Sequence, residues 1–197
     1  MRIVLFYITL LVFLSCNAQE TRKISLSSKA KEAYAYCIEN NMDTNYCILV
    51  DMSIHSGKNR LFVWDFSSNK AELSGLCSHG SCDGTTGLGY SFKEAKFSNV
   101  PNSYCSSKGK YKIGKRGYSN WGININYKIH GMEPTNSNAY KRIVVLHSWE
   151  AVPNEEIYPN YVPNSLGCPM VSNEMMTLLD NKLKNKKIPV LLWIYND

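Results

Sequence analysis

Apolar residues fall at helical spacing early in the chain. Ala30, Ala33, Tyr34, Cys37 and Ile38 recur along one face between Ser27 and Asn41, with Ser28 as a cap and Asn40-Asn41 as the stop, which predicts an amphipathic helix. The pattern then turns to strand type. Tyr46 to Ile54 and Arg60 to Phe66 are apolar runs separated by the turn composition His55-Ser56-Gly57-Lys58-Asn59, and Ala71 to Cys77 reads as a third strand. Ser81 to Lys110 is rich in Gly, Ser and Asn. It predicts a long ordered loop or a pair of short strands, a kind of segment that often carries function. Gly122 to Ile129 alternates through Ile123, Ile125, Tyr127 and Ile129, a half-buried strand. Arg142 to Leu146 reads as a continuous apolar strand ending in His147. A loop from Ala151 to Pro163 leads to Asn164–Val171, which holds Ser-Leu-Gly-Cys-Pro. Ser172 then caps a second helix, with Glu174 in its first turn and Met175, Met176, Leu178 and Leu179 turned inward. Lys182, Lys184, Lys186 and Lys187 follow at its C-terminal end, Pro189 stops it, and Val190 to Tyr195 closes the chain as a buried strand. The fold class is α+β, β-dominated, with two peripheral helices.

Composition narrows the function classes. The chain has 197 residues with a formal net charge of +6, and its balance of 44% hydrophobic to 19% charged residues excludes a disordered chain and leaves one domain. The lysines are spread along the sequence, so no nucleic-acid stripe is expected; an anionic polymer or membrane surface suits them better. Met1-Arg2, an apolar run from Ile3 to Leu14 and the small residues up to Ala18 predict a secretory signal peptide over residues 1–18. The run is too short for a permanent span. Phe13-Leu14-Ser15-Cys16 resembles a bacterial lipobox, which implies lipidation of Cys16; the rival reading is cleavage after Ala18. Residues 19–45 form an N-terminal helical segment and 46–197 the main domain. Either way the mature protein leaves the cytoplasm for the periplasm or cell envelope, with membrane attachment only through a lipid anchor.

Beyond Cys16, six cysteines remain: Cys37, Cys47, Cys77, Cys82, Cys105 and Cys168. In an oxidising compartment they are expected to form disulfides, whose pairing sequence does not specify. Cys37 with Cys47 and Cys77 with Cys82 are two options. A zinc set of Cys77, His79, Cys82 and Cys105 is weaker, because paired Cys-x₂-Cys knuckles are missing.

The chemistry concentrates in Val144-Val145-Leu146-His147-Ser148-Trp149 and Asn164-Ser165-Leu166-Gly167-Cys168-Pro169. A thiolate is a strong nucleophile, and a histidine within reach can take the thiol proton and return it to a leaving amine. Gly167 permits a tight turn, in which the N–H groups of Gly167 and Cys168 can face an oxyanion. This stretch resembles the bacterial L,D-transpeptidases, whose signature is His, a gap, then Ser/Thr-x-Gly-Cys. Here 17 residues separate His147 from Ser165. The Gly-Cys-Pro core, His79-Gly80, Phe97-Ser98-Asn99, Ser103, Ser106-Ser107 and Gly109 extend the resemblance to one branch of that family, across about Tyr46 to Tyr195.

The resemblance implies an L,D-transpeptidase-like mixed sheet or β-sandwich and a cell-envelope cysteine acyltransferase acting on peptidoglycan stem peptides. It implies Cys168 as nucleophile, His147 as base, and the Ser148 carbonyl as the group that orients the imidazole. Gly167, Ser165, His79 and Gly80 become oxyanion or pocket residues, and no metal or organic cofactor is required. Leu166 stands where many relatives have His, and Pro169 where many have Arg or Asn. Two alternatives stay beside this reading: an L,D-carboxypeptidase with water as acceptor, and a non-catalytic murein-binding lipoprotein. Oligomeric state is not specified.

Overall fold

The first helix, α1 (residues 25–39), is already running at residue 25, so Ser28 lies within it and does not cap it. The structure, a computed structural model, describes residues 25–85 and 95–197. The predicted signal peptide and Cys16 lie outside the described residues. Asn41 ends α1 in the left-handed region (φ 53°), and the Met42 N–H reaches the Cys37 carbonyl at 2.9 Å, a Schellman closure.

Eight strands follow: β1 (Tyr46–Asp51), β2 (Leu61–Asp65), β3 (Lys70–Gly75), β4 (Gly109–Tyr118), β5 (Ile125–Gly131), β6 (Val145–Ser148), β7 (Met170–Val171) and β8 (Leu191–Tyr195), with α2 (Asn173–Leu183) between the last two. They form one mixed sheet in the order β3-β2-β1-β8-β4-β5-β6-β7, in which β1–β8 and β6–β7 are parallel and the other pairs antiparallel. β1 is apolar throughout because both its faces are covered. Ile48 and Val50 join Met175, Met176 and Leu179 of α2 on the inner face, while Cys47 and Leu49 pack with Ala30, Ala33 and Cys37 of α1 on the outer one. β4 escapes sequence patterning, since its inward Tyr111 and Ile113 alternate with Gly and Lys and a register shift follows at Ile113/Arg116.

The sheet curls around α2. Glu72 of β3 pairs with Lys182 at 2.6 Å, the Tyr46 hydroxyl of β1 donates to the Lys182 carbonyl at 2.9 Å, and Tyr127 of β5 donates to Asp180 at 2.7 Å. The Ser172 hydroxyl caps α2 by accepting the Met175 N–H at 3.1 Å. Leu178 is 44% exposed, contrary to expectation, because it lies off the stripe of Met176, Leu179, Asp180 and Leu183. The chain leaving β3 meets the far edge of the sheet: Ser78 N–H donates to the Met170 carbonyl at 2.8 Å, and Gly80 bridges Ser165 in parallel. This contact nearly closes the sheet into a barrel.

Asp180 ties the helix to both β4 and β5. It accepts from Arg116 Nε at 2.7 Å as well as from Tyr127, and the Arg116 hydrogen bond lowers its pKa against the opposing effect of burial. A depressed carboxylate stabilises the fold above its ordinary pKa, near 4, and loses that contribution as pH falls through the lowered value. Asp180→Asn is expected to cost about 2 kcal/mol at neutral pH. Urea melts should show the deficit shrinking as pH falls below 4 and through the lowered pKa, where the wild-type carboxylate itself becomes protonated.

Candidate active site

The Cys168 segment lies at the seam where the sheet closes. In the parallel β6–β7 pair His147 stands opposite Met170 and Ser148 opposite Val171. That register carries Cys168 alongside Val145, whose N–H donates to Cys168 Sγ at 3.4 Å; the Ile143 carbonyl lies 4.0 Å from the same sulfur. Cys168 and His147 line one cleft of about 210 Å³ with Asn164, Ser165, Leu166, Met170, Trp121 and Trp149. The two tryptophan rings meet edge-on, with centroids 5.7 Å apart, and form the apolar wall.

The Ser148 carbonyl lies 3.0 Å from His147 Nδ1. A carbonyl only accepts, so Nδ1 carries the hydrogen and Nε2 of the neutral ring keeps its lone pair. Burial lowers the His147 pKa below 6.5, against a smaller upward pull from that carbonyl. Desolvation raises the half-buried Cys168 thiol above 9.0, opposed by the Val145 N–H and by the charges of Arg142 and Lys128. The resting pair at neutral pH is therefore a thiol and a neutral imidazole. Together they can pass a proton as the sulfur attacks.

Ser165 pins the turn before the cysteine. Its N–H donates to the His79 carbonyl and its carbonyl accepts from Ser81 N–H, both at 2.9 Å. Its hydroxyl accepts the Gly167 N–H at 3.0 Å. That bond occupies one of the two N–H groups expected to face an oxyanion; the Cys168 N–H has no acceptor among the described residues. Gly167 sits at φ +112°, and a Cβ there would lie 2.8 Å from the Cys105 carbonyl oxygen, so both conformation and space require glycine.

His79 and Gly80 support this turn from behind and do not line the Cys168 cleft. The His79 ring lines a separate cavity of about 180 Å³ with Arg60, His55 and Tyr161. Its Nδ1 accepts from Arg60 Nη2 at 2.9 Å, and burial beside that cation pushes its pKa down to about 3, which keeps it neutral. Gly80 N–H donates to the buried Ser106 hydroxyl at 3.0 Å, and that hydroxyl donates to the Gly167 carbonyl at 3.2 Å. A Cβ on Gly80 would lie 2.2 Å from the Tyr104 carbonyl oxygen. Gly80→Ala is expected to destabilise the domain by about 3 kcal/mol through backbone overpacking, measured as a lower urea midpoint, and to displace the Ser106 bridge.

The described part of the Ser- and Asn-rich stretch, from residue 95 on, buttresses the turn. Ser98 N–H donates to the Ser106 carbonyl at 3.0 Å, and Ser107 Oγ donates to the Ser98 carbonyl at 2.8 Å. Asn99 Nδ2 donates to the Pro134 carbonyl at 2.8 Å. Arg142 organises this loop and was not apparent as a site residue in the sequence. The available signal was a lone arginine five residues before His147, at the head of an apolar run.

The other histidines, Tyr111 and the cysteines separate by environment. His130 stacks on Tyr140 with centroids 4.7 Å apart, and Tyr111 is buried with its hydroxyl on the Ser107 carbonyl at 2.6 Å. His55, expected at a surface turn, is half-buried and packs on Tyr161 at 4.2 Å. Cys82 and Cys105 form a disulfide, while Cys37, Cys47, Cys77 and Cys168 are free thiols. The disulfide uses two members of the zinc set considered above, and neither Cys37–Cys47 nor Cys77–Cys82 is formed. Burial pushes Cys37 up to about 12 and Cys77 to about 11, which suits inert core thiols.

The protein is thus a strand-dominated domain with a cysteine and a histidine in one apolar cleft. The family model of the L,D-transpeptidase catalytic domain, YkuD_2, matches residues 18–195, and the chain belongs to that family of enzymes. Among solved structures it is similar to an L,D-transpeptidase from Xylanimonas cellulosilytica DSM 15894, at 15% identity and a TM-score of 0.39. The match covers 77% of this chain and 60% of that one, so the chain spans less than two thirds of that relative's length. A search of curated proteins found no match.

Proposed function

We propose that this protein is a cell-envelope L,D-transpeptidase that works through a Cys168 thioester. The observation that carries the reading is the shared cleft of Cys168 and His147, with the Ser148 carbonyl fixing the imidazole tautomer. The sulfur attacks the carbonyl of the diamino acid at the third position of a tetrapeptide stem as His147 Nε2 takes the thiol proton. That proton passes to the D-Ala amine, which leaves, and the acyl group remains on sulfur. The Cys168 N–H serves as the oxyanion donor, a role supported by the Gly167 N–H being bonded to Ser165. An amine of a second stem then attacks the thioester, loses its proton to the imidazole and frees the thiol.

The apolar wall of Trp121, Trp149 and Leu166 favours transfer to an amine over hydrolysis, because it disfavours water in the cleft. Incubation with a disaccharide-tetrapeptide muropeptide tests this directly. D-Ala release with a cross-linked muropeptide dimer is expected. A tripeptide product would make the protein an L,D-carboxypeptidase. No D-Ala release, from protein with a reduced Cys168, would support the murein-binding alternative.

Export across the inner membrane, with retention in the periplasm or by a lipid on Cys16, completes the proposal. The Cys82–Cys105 disulfide supports an oxidising compartment. Among the described residues no helix is long and apolar enough to cross a membrane. Mass analysis of the mature N-terminus distinguishes a diacylated Cys16 from cleavage after Ala18.

A further inference from the structure

We propose that Arg142 is a positioning residue for Cys168, whose guanidinium supplies an uncompensated positive charge beside the nucleophile turn and favours the thiolate. Its Nη1 donates to the Ser98 carbonyl at 2.9 Å and to Ser107 Oγ at 2.7 Å. Its Nη2 donates to Ser103 Oγ at 3.2 Å and to the Cys105 carbonyl at 2.6 Å. All four acceptors are uncharged, and no carboxylate pairs with Arg142 among the described residues. The fork therefore orients the cation without neutralising it.

The residue before the nucleophile is close to the guanidinium. A Cβ on Gly167 would lie 3.3 Å from Arg142 Nη2. Ile143 and Val145, next along the chain, present their backbone to Cys168 Sγ. Ile143 adopts φ 59°, a left-handed conformation rare for a β-branched residue. It directs the chain from the Arg142 turn into β6.

The other groups around the sulfur are few. Lys128 of β5 adds a second positive charge, and His147 of β6 shares the cleft. The chain after β3 presents Ser78, whose hydroxyl lies 3.5 Å from the Cys168 carbonyl, and the buttress loop presents the Cys105 carbonyl beside Gly167. Arg142 is thus the charge held in place next to the turn. Burial raises the Cys168 pKa and lowers that of Arg142, and the attraction between the cation and the sulfur opposes both shifts.

This inference rests on Cys168 being the nucleophile, but its test needs no murein. The full chain is alkylated with iodoacetamide across pH, and Cys168 modification is followed by peptide mapping, which separates it from the buried Cys37, Cys47 and Cys77. Arg142→Met is expected to raise the pH midpoint by about one unit, a tenfold lower thiolate fraction at fixed pH below it. Arg142→Lys, which keeps the charge, is expected to stay near wild type. Ser107→Ala removes one acceptor from the fork, keeps the cation and should also leave the midpoint unchanged. An unchanged midpoint in folded Arg142→Met overturns the proposal, as does a Lys variant that shifts as far as the Met variant. If Arg142→Met does not fold, the neutral Arg142→Gln, which keeps hydrogen-bond donors for the loop, is read in its place: a raised midpoint supports the proposal and an unchanged one overturns it. A muropeptide assay that fails while these midpoints behave as stated counts against the substrate and not against Arg142.

Discussion

Replacing Cys168 by alanine is expected to reduce muropeptide turnover by roughly 10⁴- to 10⁶-fold, the range seen when a covalent nucleophile is removed and only binding and oxyanion stabilisation remain. The thioester cannot form without the sulfur, so D-Ala release and cross-linking should disappear together. The fold should survive. Cys168 is half-buried at the edge of the core, and its loss leaves a small void worth about 1 kcal/mol. The scaffold contacts around it run through backbone atoms, from Ser78 N–H to the Met170 carbonyl and from Ser165 N–H to the His79 carbonyl, and they remain in the variant. Parallel turnover and urea-melt measurements check the prediction: a large loss of rate with a small loss of stability.

His147→Asn should lower kcat/KM by about 10³-fold, the middle of the range for a general acid–base residue. The pH profile carries more information than the size of the loss. His147 acts as a base only while neutral, and burial holds its pKa below 6.5. The acid limb of the wild-type kcat/KM profile is therefore expected below pH 6.5, with the rate falling as pH drops through the native pKa. Because the Cys168 pKa is raised above 9.0, the thiol at neutral pH depends on His147 for its activation. The Asn variant should lose that acid limb, and its residual rate should climb with pH toward the thiol pKa. A wild-type acid limb well above pH 6.5 would contradict the dominance of burial at His147.

Cys168 and His147 were legible as candidates because both fall in a motif that resembles a known family's signature, and the structure brings the two into one cleft. His147 ends an apolar run, and Cys168 follows glycine in a tetrapeptide that has a chemical purpose. The helices and most strands were legible from their periodicity, since Met175, Met176 and Leu179 or Ile125, Tyr127 and Ile129 carry a period. β4 was not, because two apolar residues among lysines and glycines carry almost none. Leu178 was misplaced because a helix that also buries Asp180 turns a different stripe inward than apolar residues alone suggest.

The supporting parts of the site were invisible for a physical reason. Arg142, Ser98, Ser103 and Ser107 act on one another across separations of 35 to 44 residues. Their hydrogen bonds depend on closure of the whole sheet. His79 and Gly80 were visible as a motif, but their work is long-range too. One accepts from Arg60 in a separate cavity, and the other allows the 104–106 backbone to pass against it. The Cys82–Cys105 disulfide belongs to the same buttress, and its pairing depends on where the loop returns.

The central claim is a covalent acyl-enzyme on Cys168, and intact-protein mass spectrometry tests it most directly. Wild-type protein and the Cys168→Ala variant are each incubated with a disaccharide-tetrapeptide muropeptide and quenched early. The account predicts a mass increase on the wild type equal to the muropeptide minus D-Ala, mapped to the peptide containing Cys168 and absent from the variant. Wild-type protein with a demonstrably free Cys168 that gains no mass and releases no D-Ala would contradict it.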